Sequence, residues 1–288
     1  MQVLLNELSF LGFLRFYVFS KVLRVAEFIF FVVPNYFDIQ KIKSFKNVKI
    51  GKSAFVFASG PSISFLDINK IKAYKEKGFD VFAGNSFINS KLGQVVNPDY
   101  YFISDDKFFQ KPNSTVVYEA NLKVVKSIEE MGIPCFYPHR YSKYVNGKNN
   151  SFIFNDTIDL FSNNVADLTK PRPYVSMTLY KALSLACYMG YSKIYICGFD
   201  NDYFKNYQCN KENEIYFEDK HFYTNEVGEN TIRKVDKNFH KTMSSLLIHI
   251  STLFSGLEKF KNYPIINLDP KGLVDAFSKD HNLDIYNE

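Results

Sequence analysis

The chain has 288 residues, 46% of them hydrophobic and 17% aromatic, and carries a formal net charge of +5. That apolar share excludes a disordered protein, and the length suffices for one large core or a core with a small subdomain. The 35 basic residues are dispersed among 30 acidic ones instead of forming a tract, which argues against a nucleic-acid partner and for anionic small molecules or an anionic membrane surface.

Residues 1–37 stand apart. They are rich in Phe, Leu and Val, but Glu7, Arg15, Lys21, Arg24 and Glu27 interrupt them, so no uncharged run reaches the roughly 18 residues of a spanning helix. At about 100° per residue, Asn6, Glu7, Ser20, Lys21, Arg24 and Glu27 share one side, with Arg15 the exception, opposite a broad face with Phe10, Phe13, Val22, Leu23, Phe28 and Phe30. An amphipathic helix lying on the inner face of the cell membrane is expected, with the chain cytoplasmic and peripheral. The same face also suits packing on the domain or against a second subunit, so a homo-oligomer stays open. The basic residues lie inside the apolar stretch, unlike those of a signal peptide. Pro34-Asn35 is expected to end the segment.

From about residue 50 to 275 strand and helix signals alternate, as in a parallel sheet with crossover helices. The expected fold class is α/β and Rossmann-like, a mostly parallel sheet with helices on both faces and a small lid insertion over about 201–235. Residues 53–58 read as the first strand, 63–77 as a helix, 80–84 and 99–103 as strands, and 114–119 and 133–137 as weaker strands. The Asn-rich stretch 141–170 reads as irregular, Val175 to Met189 as a helix stopped by Gly190, Lys193 to Cys197 as a strand, and 236–260 as a helix. Cys135, Cys187, Cys197 and Cys209 show no Cys-x-x-Cys spacing and read as free thiols in a reducing compartment.

Polar residues follow each strand. Ser59-Gly60-Pro61-Ser62 comes after the first, with the glycine opening backbone amides to a phosphate and Ser62 placed to cap the next helix. Asn85-Ser86 follows the second, Ser104-Asp105-Asp106 the third, and Gly198-Phe199-Asp200 the Lys193 to Cys197 strand. In open α/β sheets the carboxyl ends of the strands form the ligand crevice, so these residues point to one site.

Three blocks, Ser59-Gly60-Pro61-Ser62, Phe79 through Phe87, and Ala182 through Asp200, resemble the ordered motifs of a bacterial lipooligosaccharide sialyltransferase family. They also resemble a related domain of flagellar glycosylation accessory proteins. The resemblance implies a glycosyltransferase that moves sialic acid, or a similar 2-keto acid sugar, from a CMP-sugar donor to a glycan or glycolipid acceptor, with no cofactor required. Carried over by position, it implies a donor site of Ser59, Gly60, Pro61, Ser62, Asn85, Ser104, Ser176 and Thr178, to which the residues after the strands add Ser86, Asp105, Gly198 and Asp200. His221, in the polar insertion, is then the general base, and Tyr203 and Tyr207 stabilise the leaving phosphate. Ser59 stands where that family has Asn, and Asp105-Asp106 add carboxylates beside an anionic donor. Asp200-Asn201-Asp202 spells Asp-x-Asp, so Mg or Mn held by Asp200 and Asp202 is the metal-dependent alternative. A pterin diphosphokinase related to the second domain would use Asp105, Asp106, Asp200 and Asp202 on magnesium. His139 is the second candidate base, while His240 and His249 read as packing or surface residues, and Arg172 as a possible grip on a donor carboxylate or phosphate.

Overall fold

The computed structural model describes residues 10–109, 115–145, 147–173, 177–218, 222, 232–235, 238–269, 271–280, 283, 285 and 286. Among them, eight strands form one sheet: β1 (Ser53–Phe57), β2 (Asp80–Gly84), β3 (Tyr100–Phe102), β4 (Cys135–Pro138), β5 (Ser151–Phe154), β6 (Lys193–Cys197), β10 (Ile265–Asn267) and β11 (Ser278–Lys279). Their order is β11-β10-β6-β1-β2-β3-β4-β5, and every neighbouring pair is parallel. The protein is thus an α/β Rossmann-like fold. The remaining strands, β7 (Tyr207–Cys209), β8 (Ile215–Glu218) and β9 (Ile232–Lys234), make an antiparallel sheet within the expected insertion.

A sheet buried on both faces needs strands that are apolar throughout, and β1 is one: Ala54 and Val56 enter one core layer, Phe55 and Phe57 the other. The first layer is closed by helix Thr178–Met189, every residue of which is buried, together with Leu253 and Leu257 of helix Phe239–Leu257. The second holds Ile71 of helix Ile68–Glu76, Leu92 and Val96 of helix Lys91–Val96, and Val124 and Ile128 of helix Thr115–Glu130. In chain order these helices are α3 (Ile68–Glu76), α4 (Lys91–Val96), α5 (Thr115–Glu130), α6 (Thr178–Met189) and α7 (Phe239–Leu257), after α1 (Phe10–Glu27) and α2 (Tyr36–Gln40). Cys135, Cys187 and Cys197 are buried free thiols and Cys209 is exposed.

Four local expectations are corrected. Residues 114–119 are not a strand; Thr115-Val116-Val117 opens α5, whose inward positions Val124 and Ile128 recur at helical spacing. The stretch 141–170 contains β5, an edge strand that pairs with β4 from Cys135↔Ser151 to Pro138↔Phe154. Ser62 caps no helix, because Pro61–Phe65 is a 3-10 turn and α3 starts later, where the Asp67 carboxylate accepts from the Asn69 and Lys70 amides. Pro34 does not end the N-terminal segment either: it opens the 3-10 turn Val33–Asn35, where a missing N–H is harmless, and the chain runs on into α2.

Candidate active site at the carboxyl edge of the sheet

From β1 the chain crosses to β2 through β5 on one side, and β6, β10 and β11 lie on the other, so the switch point falls between β1 and β6. A cavity of about 630 Å³ opens there, within the range of small-ligand sites. Ala58 to Pro61 line it from β1, Asn85 from β2, Ser104 and Asp105 from β3, and Gly198 to Asp202 from β6. Met177 to Tyr180 at the start of α6 form its back, Asn206, Tyr207 and Phe217 reach in from the β7–β8 region, and His249 enters from α7.

The β1 and β6 ends are pressed together. The Gly60 amide donates to the Gly198 carbonyl at 2.9 Å, and a Cβ on Gly60 would lie 1.9 Å from Asp200 Oδ2 and 2.5 Å from that carbonyl. Gly198, at φ +77°, abuts Ile63, where a Cβ would fall 2.6 Å from its side chain. The Ser62 amide donates to Asp200 Oδ2 at 3.2 Å and the Ile63 amide to the Gly60 carbonyl at 3.2 Å. The expectation that the Gly60–Ser62 amides cradle a phosphate is therefore corrected, since Asp200 and the β6 backbone already take them up.

Beneath the cavity floor Ser62 joins two carboxylates. Its hydroxyl lies 3.0 Å from Asp200 Oδ2 and 3.0 Å from Asp269 Oδ1, and its single proton serves one of them at a time. Asp269 is fully buried and also accepts from the amides of Gly198 (2.7 Å) and Phe199 (2.6 Å) and from the Tyr286 hydroxyl (3.1 Å). Burial pushes its carboxyl up to about 6, helped by the charge of Asp200, although the bonds from Gly198, Phe199 and Ser62 pull it down. Asp200 is raised too, by burial first and then by Asp202, against the two bonds from Ser62.

The opposite wall is built of neutral donors. Thr178 Oγ1 lies 2.7 Å from Ser104 Oγ and 3.3 Å from Asn85 Nδ2, at the amino end of α6, where amides and helix dipole favour an anion. Asn85 sits at φ +52°, a conformation asparagine tolerates, and its carbonyl accepts from the Tyr101 hydroxyl at 2.6 Å. Asn201, at φ +51°, likewise faces the cavity.

Ser59, Gly60, Pro61, Asn85, Ser104, Asp105, Thr178, Gly198, Asp200, Asp202 and Tyr207 all line the cavity. Ser62 and Ser86 are buried behind its lining, and Tyr203 opens a 3-10 turn through Asn206. Ser176 and His221 lie outside the described residues. His139 is buried at the end of β4, where Nδ1 accepts the Asp156 amide at 2.9 Å, so a neutral ring carries its proton on Nε2. Arg172 grips no ligand; it is buried with Asp156 3.5 Å away and donates to Ser184 Oγ at 3.1 Å. Asp156 also meets Lys181 at 3.0 Å and pairs with Arg140. Burial opposes ionisation of Asp156, but Lys181, Arg172 and Arg140 outweigh it and hold the carboxyl below its ordinary value.

Asp200 Oδ2 is committed to Ser62, Asp202 has Lys205 3.4 Å away, and no cluster of three ligating groups forms among the described residues. Sequence reasoning missed His249, whose burial lowers its pKa and favours the neutral ring, because α7 reads as a packing helix. It also missed Asp269, which stands after the short strand β10 without any motif around it.

A family model described as 6-hydroxymethylpterin diphosphokinase MptE-like matches residues 32–206. No curated protein matches the chain. Among solved structures, the MAf glycosyltransferase of Magnetospirillum magneticum AMB-1 is a remote likeness, with a TM-score of 0.42 and 13% identity over 86% of this chain. The match spans only 38% of that protein. The family match fits the pterin-diphosphokinase branch of the sequence-based expectation and does not show the sialyltransferase family. Residues 32–206 carry β1 to β6 and the cleft from Ala58 to Asn206, and by that match the chain belongs to the MptE-like family.

Proposed function

We propose that the cleft binds a nucleotide-activated sugar and transfers the sugar to a hydroxyl of a glycan or glycolipid acceptor. The donor is a CMP-sugar of the sialic acid or 2-keto acid type. The observation that carries this reading is the absence of any Lys or Arg among the described cavity-lining residues, beside a wall of neutral donors. One phosphate is matched by the Ser104 and Thr178 hydroxyls, the Asn85 amide and the amino end of α6, whereas a triphosphate calls for cationic clamps at its developing charge. Asp105 and Asp200 accept from ribose or sugar hydroxyls, Tyr207 donates to the departing phosphate, and neutral His249 takes the acceptor proton.

A second reading is favoured by the family match and by three carboxylates, Asp105, Asp200 and Asp202, at the cavity. It is a magnesium-dependent diphosphoryl transfer from ATP to a hydroxymethyl group. The two differ in product. Incubation with a CMP-sugar, resolved by anion-exchange chromatography, is expected to release CMP, slowly to water and faster with a glycan acceptor. AMP formed from ATP, magnesium and a hydroxymethylpterin, with no CMP from the sugar donor, would replace the first reading by the second.

A further inference from the structure

We propose that the outward face of α1 and of the π-helical turn Phe28–Val32 is a docking surface for an anionic lipid bilayer. The helix is mounted with Arg24 and Glu27 toward the domain. Arg24 pairs with Asp159, and the Glu27 carboxylate lies 3.6 Å from His139 Nε2. Tyr17 sets its ring edge-on to Phe161 at 5.4 Å, and Phe31 lies 6.2 Å from the His139 ring. Two of the residues that interrupt the apolar run in sequence, Arg24 and Glu27, are thus spent on the domain.

What remains outside is apolar apart from Lys21. Phe19, Val22, Leu23, Val25, Ile29 and Phe30 are each more than half exposed, Phe30 at 70%, and Phe37 further on at 84%. A helix that only packs on its own domain turns the opposite way, apolar face in and charged face out. A run of this size on a soluble surface marks an interaction site. No described helix is long and apolar enough to cross a membrane, so the segment lies in the plane of the interface.

Charge selects the occupant. Lys21 on α1 and Lys41 and Lys43 in the chain that follows are all exposed. Anionic head groups complement them, whereas a second copy packed by two-fold symmetry would return the same lysines to the same seam. The arm docks on the segments that follow β4 and β5, through His139 and Asp159, on the edge of the sheet where the cleft opens.

The test is sedimentation of the full chain with phosphatidylglycerol vesicles and, separately, phosphatidylcholine vesicles. Binding to the anionic vesicles is expected, with weaker binding to the neutral ones. The pair Phe19→Asp and Phe30→Asp is expected to weaken binding by roughly tenfold or more. Lys21→Glu with Lys43→Glu is expected to remove the preference for anionic lipid. Circular dichroism and the melting temperature establish that the variants fold; Phe19 and Phe30 are both well exposed, so both readouts are expected unchanged. Failure of the wild type to bind anionic vesicles, or equal binding by the aspartate pair, overturns the proposal. So does a concentration-dependent dimer in analytical ultracentrifugation that the aspartate pair dissolves, which assigns the face to a second copy.

Discussion

Replacing Gly60 by alanine tests the packing that closes the cleft floor, because two lines of reasoning give opposite signs. Gly60 has φ −67° and ψ 155°, a conformation alanine adopts freely. By backbone entropy alone Gly60→Ala therefore stabilises by about 0.4–1 kcal/mol. The new Cβ, however, falls 1.9 Å from Asp200 Oδ2, 2.5 Å from the Gly198 carbonyl oxygen and 2.9 Å from Asp200 Cγ. Asp200 can swing aside only by giving up both bonds from Ser62, and the carbonyl can retreat only by stretching the Gly60 to Gly198 hydrogen bond. A neutral hydrogen bond is worth about 1 kcal/mol and one to a carboxylate about 1.5–3 kcal/mol, while releasing the half-buried Asp200 recovers part of the loss. The expected result is a destabilisation of about 2–4 kcal/mol. In thermal unfolding that is a fall of roughly 4–16 °C, at about 2–4 °C per kcal/mol for a chain of this size. A melting temperature at or above wild type would refute the close packing of Gly60, Gly198 and Asp200.

Other outcomes follow from single side chains. Asp156→Ala strands Arg172 and Lys181, both buried, and should cost about 3–5 kcal/mol in urea unfolding; a loss under 1 kcal/mol would mean that the cations find other partners. Asp269 has a raised carboxyl, so its contribution to stability is full below the ordinary Asp value near pH 4 and is lost as the pH rises through about 6. Relative to Asp269→Asn, the wild type should therefore lose roughly 3 kcal/mol between pH 4 and pH 7, and a constant difference across that window would contradict the assignment. His249→Ala should slow sugar transfer by about 10²–10⁴-fold with little change in donor affinity. If His221→Ala does this and His249→Ala does not, the insertion supplies the base.

The strands β1, β2 and β6 were legible almost to the residue because each is a short apolar run ended by polar or glycine residues, which a doubly covered parallel sheet requires. The position of the cleft followed from them, since the residues after buried strands gather at one edge. Failures came where local propensity and tertiary context disagree. The β-branched Thr115-Val116-Val117 looks like a strand until Val124 and Ile128 extend the period. Phe152 to Phe154 is hidden among asparagines, and only pairing with β4 makes it a strand. The Gly60–Ser62 turn was placed correctly but its use was not: an amide that looks free in sequence is here claimed by Asp200, 138 residues away from Ser62. Asp269 could not be read at all, because its partners come from three distant segments.

The account rests on a cleft of neutral donors matched to one phosphate, and calorimetric titration of the wild-type chain with CMP and with ATP examines that directly. The account predicts saturable CMP binding that EDTA leaves unchanged and Thr178→Ala weakens, with ATP weaker both with and without magnesium. Tight binding of ATP only in the presence of magnesium, lost on Asp200→Asn while CMP gives no heat, would contradict it.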